Sequence, residues 1–296
     1  RHLLGIVGVL IRPWVLVNDM GVYMNFFLNG GGALLGPIIG ITICHYFFVC
    51  HTELNLRSLY VADDESKYTN LKKFNVPTYV LCFATTDCAI SPAMLDKAIH
   101  QVTEKTFNMI SIDGDTSTND TFAILANGAA GNPEITAPGP DYDAFAQALE
   151  AVCRQLSKLM AGDGEGATKL LICRVDGAMD LSMARTVSKS VICSTLFKAA
   201  MFGADANWGR VLCAMGYSGE TFDPERVAVS FASAAGEIAV CAQGRGLDFD
   251  EDKAKTILTE HDVEIQVSMG QGSGCCTCWG CDITYDYIKI NGDYRT

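Results

Sequence analysis

From Met20 to Thr52 the chain carries no Asp, Glu, Lys or Arg, and only Arg1, Arg12 and Asp19 are charged before that stretch. So long an uncharged run belongs in a protein interior or in lipid rather than in water. The segment from Ala33 to Cys50 approaches the length of a membrane span. However, Gly30-Gly31-Gly32 and Gly36-Pro37 interrupt it, and no signal-peptide pattern precedes it. A buried core is the first expectation and membrane insertion the second. Beyond about residue 84 the apolar pattern becomes conventionally periodic, so the chain divides into an unusual N-terminal part and an ordinary globular one. It begins with Arg rather than Met, from which a fragment of a longer protein is expected.

With 296 residues, 49% of them hydrophobic, the chain can bury a sizeable core in one large domain or two intimate ones. The net charge of −12, with no basic run longer than Lys72-Lys73, argues against nucleic acid, whose binding draws on basic contacts to phosphate. A small ligand is the expected partner. The 13 cysteines are scattered through apolar segments, as at Cys153, Cys173, Cys193, Cys213 and Cys241, which reads as buried reduced thiols in a cytosolic protein rather than a disulfide framework. Cys275-Cys276-Thr277-Cys278-Trp279-Gly280-Cys281 invites a zinc-knuckle reading, but a structural zinc site needs two separated ligand pairs and no second pair stands out. No metal is expected.

Ser91-Pro92 is a helix start, a capping hydroxyl followed by proline in the first turn. The helix should run to about Phe107 with Leu95, Ile99, Val102 and Thr106 inward. Met109 to Ile112 reads as a short strand and Thr121 to Ala130 as helix. Asp141 to Met160 is the clearest helix, with Phe145, Leu149, Val152, Leu156 and Leu159 at helical spacing. A strand is expected at Thr168 to Val175 and a helix at Leu181 to Ala200. Further strands are expected near Val211 to Tyr217, Val227 to Ala232, Glu237 to Ala242, Val263 to Ser268 and Asp282 to Ile290, with a helix near Glu251 to Glu260. Strands that adjoin without intervening helices imply a mixed or antiparallel sheet.

Two loops hold the polar chemistry. Asp113-Gly114-Asp115-Thr116-Ser117-Thr118-Asn119-Asp120 leaves the end of a strand. Its Asp-Gly-Asp start superficially resembles that of aspartate-nucleophile phosphatases, but Ser117 and the lack of downstream acidic ligands break the pattern. The competing reading, a turn whose side chains satisfy backbone donors, is the stronger. Glu165 sits among glycines in Gly162-Asp163-Gly164-Glu165-Gly166, where a carboxylate could meet an ammonium group or simply face solvent.

These stretches occur in order with Glu165-Gly-Ala-Thr-Lys169, Phe202-Gly203, Asn207-Trp-Gly-Arg210, Gly216-Tyr-Ser-Gly219 and Trp279-Gly-Cys-Asp-Ile-Thr-Tyr-Asp-Tyr-Ile-Lys-Ile-Asn-Gly-Asp-Tyr-Arg-Thr296. Together they closely resemble the ornithine acetyltransferase family, the bifunctional glutamate N-acetyltransferases of arginine biosynthesis known as ArgJ proteins, over about Ala84 to Thr296. The resemblance implies a layered α/β sandwich of the ArgJ/DmpA-like type with mixed sheets. It also implies a precursor that cuts itself before a threonine, whose hydroxyl carries the acetyl group from N-acetylornithine to glutamate as an ester, with acetyl-CoA as another donor in many members. A threonine hydroxyl needs a base, here its own freed α-amine, and backbone donors to hold the oxyanion.

Carried over residue by residue, the resemblance places the nucleophile at Thr78, in Asn75-Val76-Pro77-Thr78. Substrate contacts fall at Lys67, Thr78, Glu165, Asn291 and Thr296. An amino-acid substrate carries an ammonium and a carboxylate, which suits this mixture of acid, base and neutral groups. Residues 1–77 then correspond to a remnant or degraded end of the family's α chain, and 78–296 to its β chain. The match erodes upstream. Leu4-Gly5-Ile6-Val7-Gly8 only echoes the oxyanion segment, and the spacing from Thr78 to Thr85-Thr86-Asp87 is one residue longer than the family's. Pro77 replaces the alanine before the cut. Shifted reading frames or genuine decay would both give this pattern. The implied protein is cytoplasmic, needs no cofactor, and assembles as an αβ heterodimer within a heterotetramer if cleaved. The alternatives are a non-cleaving, inactive family member and a membrane-tethered protein carrying this domain.

Overall fold

The computed structural model describes residues 81–116 and 120–293. Its largest element is a seven-stranded mixed sheet in the order β2-β9-β4-β8-β5-β6-β7. The strands are β2 (Ile110–Ser111), β4 (Leu170–Ala178), β5 (Ala228–Ser233), β6 (Gly236–Ala242), β7 (Arg245–Gly246), β8 (Asp262–Ser268) and β9 (Gly274–Cys281). β2 runs parallel to β9 and β4 parallel to β8, while β9 with β4, β8 with β5, β5 with β6 and β6 with β7 are antiparallel. The mixed sheet expected from adjoining strands is present.

Alternation sets the faces. Along β8, Val263, Ile265 and Val267 are buried while Glu264 and Gln266 are half-buried, the period of two that places successive side chains on opposite sides. At β9 both faces are covered. Helix α3 (Leu181–Cys193) brings Ser188 Oγ to 3.0 Å from Cys278 Sγ, and helix α2 (Pro140–Gly162) lays Arg154 over the ring of the neighbouring Trp279. Helix α6 (Glu251–Thr259) packs on β5 and β6. A second, smaller sheet pairs β1 (Leu81–Thr86) in parallel with β3 (Thr121–Ala126). Helix α1 (Pro92–Thr103) and α2 form a separate apolar cluster with it, around Val102, Tyr142, Leu149 and Cys153.

Several expectations hold. The Ser91 hydroxyl caps α1, accepting from Met94 N at 3.4 Å, and β5, β6, β8 and α6 fall where the periodicity puts them. Others are corrected. Thr121–Ala126 is a strand, not a helix, because its backbone pairs with β1. Helix Leu181 to Ala200 is two helices, α3 and α4 (Thr195–Phe202), divided at Ser194, whose hydroxyl accepts from Phe197 N and caps the second. The expected strand at Val211 to Tyr217 is helix α5 (Trp208–Gly216), started by Asn207, whose side chain accepts from Arg210 N at 3.1 Å. The cysteine-rich stretch is β9, and Asp282 to Ile290 opens into helix α7 (Tyr285–Asp293). α2 buries Tyr142, Ala146, Leu149, Cys153, Ser157 and Ala161, leaving Val152 54% and Leu159 40% exposed, so the stripe is rotated from the expected one. Cys213 is exposed rather than buried.

Candidate functional site

The glycine loop after α2 and the last helix meet at one end of the large sheet. The loop leaves α2 at Gly162, turns with Ala167 N donating to Gly164 O at 2.9 Å, and enters β4 at Leu170. α7 starts where β9 ends. In this helix Tyr287 and Asn291 are one turn apart and neighbours on one face. That face is turned to the loop. Asn291 Nδ2 donates to Glu165 Oε2 at 2.8 Å and to Tyr287 O at 3.0 Å. The structure therefore brings together Glu165 and Asn291, residues 126 apart in the chain. Lys67, Thr78 and Thr296 lie outside the described residues, as does the uncharged segment 20–52.

Asp113 joins the same cluster. Its Oδ1 accepts from Asp115 N at 3.0 Å, an Asx turn, and its Oδ2 accepts from Tyr287 Oη at 3.1 Å. The carboxylate is thus engaged as the turn reading requires. Burial, with the Asp113 carboxylate next, pushes the Tyr287 phenol up to about 12. Under the loop lies Lys198 of α4, 1% exposed, donating to the carbonyls of Ser111, at 3.4 Å, and Ile112. Burial lowers its pKa, and the two carbonyls partly replace the lost water. Lys169 is buried likewise and donates to Met201 O at 2.5 Å. Phe202 meets the Tyr285 ring edge-on at 5.5 Å. The Phe202-Gly203 and Asn207-Trp-Gly-Arg210 motifs are scaffold: one packs against the start of α7 and the other caps α5.

The architecture rests on Lys198, on Tyr287, and on Asp282 and Thr284, whose side chains join the loop to the start of α7, and the sequence reading singles out none of them. Asp282 and Thr284 stood inside a quoted motif, but reading it as a strand hid the helix start that Thr284 forms. Among the described residues no group of three or more His, Cys, Asp or Glu is arranged to hold a metal ion. Along β9, Cys276 and Cys278 lie two apart on the face toward α3, where Cys278 Sγ meets Ser188 Oγ, while Trp279 faces α2; a pair of thiols falls short of a closed metal site. What the cluster offers chemically is a half-buried carboxylate oriented by a neutral amide, suited to an ammonium group.

Comparison with known proteins is informative on both parts of the chain. The family model described as the ArgJ family matches residues 75–296, and one described as a permease for cytosine/purines, uracil, thiamine and allantoin matches residues 2–104. A protein of Clostridium acetobutylicum named arginine biosynthesis bifunctional protein ArgJ 1 is 48% identical over 217 residues, covering 73% of this chain and 53% of the relative. The ArgJ protein of Symbiobacterium thermophilum is 51% identical with the same coverage. The chain therefore spans about half the length of the curated relatives it matches. A crystal structure of arginine biosynthesis bifunctional protein ArgJ from Bacillus halodurans superimposes with a TM-score of 0.69 at 42% identity, covering 73% of this chain and 100% of that one.

Proposed function

Since the chain belongs to the ArgJ family, we propose that it transfers an acetyl group from N-acetylornithine to glutamate, the reaction of a glutamate N-acetyltransferase in arginine biosynthesis. The observation that carries this reading at the site is the 2.8 Å contact between Asn291 and Glu165, the two described residues that the resemblance assigns to the substrate. Thr78 is the nucleophile. Its Oγ attacks the acetyl carbonyl carbon as its α-amine, freed by cleavage, takes the hydroxyl proton. The tetrahedral intermediate collapses to an acetyl-threonine ester, and ornithine leaves with the proton on its α-nitrogen. The amine of glutamate then attacks the ester and regenerates Thr78. Glu165 takes a substrate ammonium, Lys67 a carboxylate, and Asn291 and Thr296 supply neutral contacts. Acetyl-CoA is a second donor by the same ester, and no bound cofactor enters the scheme.

The coverage supports a divided precursor. The Bacillus halodurans chain is matched along its whole length, whereas the curated relatives are matched along half of theirs, as expected when a polypeptide ends near the position of Thr78. The proposed assembly is an αβ heterodimer pairing into a heterotetramer, in the cytoplasm. The test is the full chain assayed for transfer from N-acetylornithine to glutamate, with its intact mass read alongside. Transfer together with a break before Thr78 upholds the reading. An unbroken, inactive chain replaces it with a non-cleaving family member in which Pro77 blocks the cut.

A second reading has its own observation. The permease match over residues 2–104 and the uncharged run from Met20 to Thr52 favour a membrane-tethered form of this domain. Among the described residues no helix is long and apolar enough to cross a membrane, and the uncharged run lies outside them. Partition into detergent that is lost on deleting residues 1–60 would establish it, and partition into the aqueous phase would remove it.

A further inference from the structure

The two substrate contacts stand on separate elements, Glu165 on a loop and Asn291 on α7, and two buried residues tie those elements together. Asp282 is 2% exposed. Its Oδ1 accepts from Thr168 N at 2.8 Å and Lys169 N at 3.0 Å, and its Oδ2 accepts from Thr168 Oγ1 at 2.5 Å. Three donors on one buried carboxylate fix the loop's downstream end. Thr284 is 4% exposed. Its hydroxyl donates to Gly166 O at 2.6 Å and accepts from Asp286 N at 3.1 Å and Tyr287 N at 3.2 Å. One donor and two acceptor positions are the full capacity of a hydroxyl, so a single oxygen both caps α7 and holds the loop beside Glu165. Gly166 permits the approach. It has φ +66°, and a Cβ there would lie 2.7 Å from Tyr287 N.

We propose that Asp282 and Thr284 are positioning residues for substrate binding, clamping the Glu165 loop to the start of α7 so that Glu165 and Asn291 move as one unit. This rests on the acetyl-transfer reading for its kinetic consequence, though the clamp itself can be read without turnover. Glu165 lies between the clamped Gly166 and the end of α2, and Asn291 lies one helical turn beyond the capped Tyr287. Loosening either anchor changes the spacing of the two contacts without touching the nucleophile. The kinetic mark is therefore on binding rather than on the chemical step.

The experiment uses the full chain with Thr284→Val, which keeps shape and removes the hydroxyl, Thr284→Ser, which restores it, and the pair Asp282→Ala and Asp282→Asn. For Thr284→Val the expected result is a KM for N-acetylornithine raised about tenfold, the order of one well-placed hydrogen bond, with kcat per acetylatable site changed by less than about threefold. Thr284→Ser should return KM to the parental value, and Asp282→Asn should lie closer to parental than Asp282→Ala. Amide hydrogen exchange should quicken at Thr168, Lys169, Asp286 and Tyr287 while the amides of β4 and α3 keep their protection. An unchanged KM with fewer active sites, or exchange quickened evenly through the core, would mean that these residues only stabilise the fold and would overturn the proposal. If the parental chain transfers no acetyl group, the acetyl-transfer reading fails, and the exchange pattern alone decides the clamp by the same two outcomes.

Discussion

The seven-stranded sheet and the strand pair β1–β3 are built from similar residues but differ in completeness. In the large sheet Phe231 and Ile265 are wholly buried, and at β9 helices cover both faces. In the pair, Phe122 and Ile124 pack inward on the cluster of α1 and α2, while Phe83 is 41% and Leu125 60% exposed. Parallel strands ordinarily have both faces covered, and two strands alone form a marginal sheet. The large sheet carries Glu165 and Asn291 at one end. The pair begins at Leu81, just after Thr78. Glu165 and Asn291, the two described residues assigned to the substrate, thus stand on a finished scaffold, whereas the strand pair keeps one face open.

Breaking the comparison at the two sheets should give the largest difference in stability. Phe231→Ala should cost about 3–5 kcal/mol in a urea titration, as for other buried aromatic truncations, whereas Leu125→Ser should cost less than about 1 kcal/mol. Equal costs would show that the strand pair is as well buried as the large sheet. Glu165→Gln comes next. It keeps the Asn291 contact but removes the charge, and it should raise KM for N-acetylornithine about 10–100-fold, the range of a charged hydrogen bond, with little change in unfolding.

A smaller effect is expected from pH. Tyr287 titrates at about 12 in the folded chain, against about 10 for an unperturbed tyrosine. Between those values the folded state holds a proton that the unfolded state has lost, so stability that is fully present below about 10 falls as pH rises through about 12. Tyr287→Phe should flatten that part of the urea-midpoint profile, and an unaltered slope would place the loss elsewhere. Least is expected from the ion pair of Arg174 and Asp176 at 2.7 Å, whose side chains are 56% and 44% exposed. Arg174→Ala should shift stability by at most about 1 kcal/mol.

The same contrast explains what could be read in the sequence. β5, β6 and β8 were legible because one apolar face is buried and the other is not, which leaves a period of two. α2 was legible as a helix but not in its rotation, because it carries two apolar stripes and only contact with Val102 and its neighbours selects Tyr142, Ala146 and Cys153. Thr121–Ala126 has Ala and Leu that suit a helix, and pairing with β1 overrode that preference. Val211 to Met215 is an unbroken apolar run, so the sequence shows no period although only Val211, Ala214 and Met215 are buried and Cys213 is exposed, and the cap at Asn207 is the signal to weigh. At the site, the glycine loop marks Glu165 in the sequence and the resemblance adds Asn291. Asp282 and Thr284 are singled out by neither, because a residue that positions another through the backbone leaves no chemical signature until the two segments are seen side by side.

The most direct test of acetyl transfer through Thr78 is mass spectrometry of the full chain after incubation with N-acetylornithine, acid quenching and proteolysis. The account predicts a peptide that begins at Thr78 and carries an acetyl group, lost on addition of glutamate as N-acetylglutamate appears. A continuous peptide through Val76-Pro77-Thr78 with no acetyl group would contradict it.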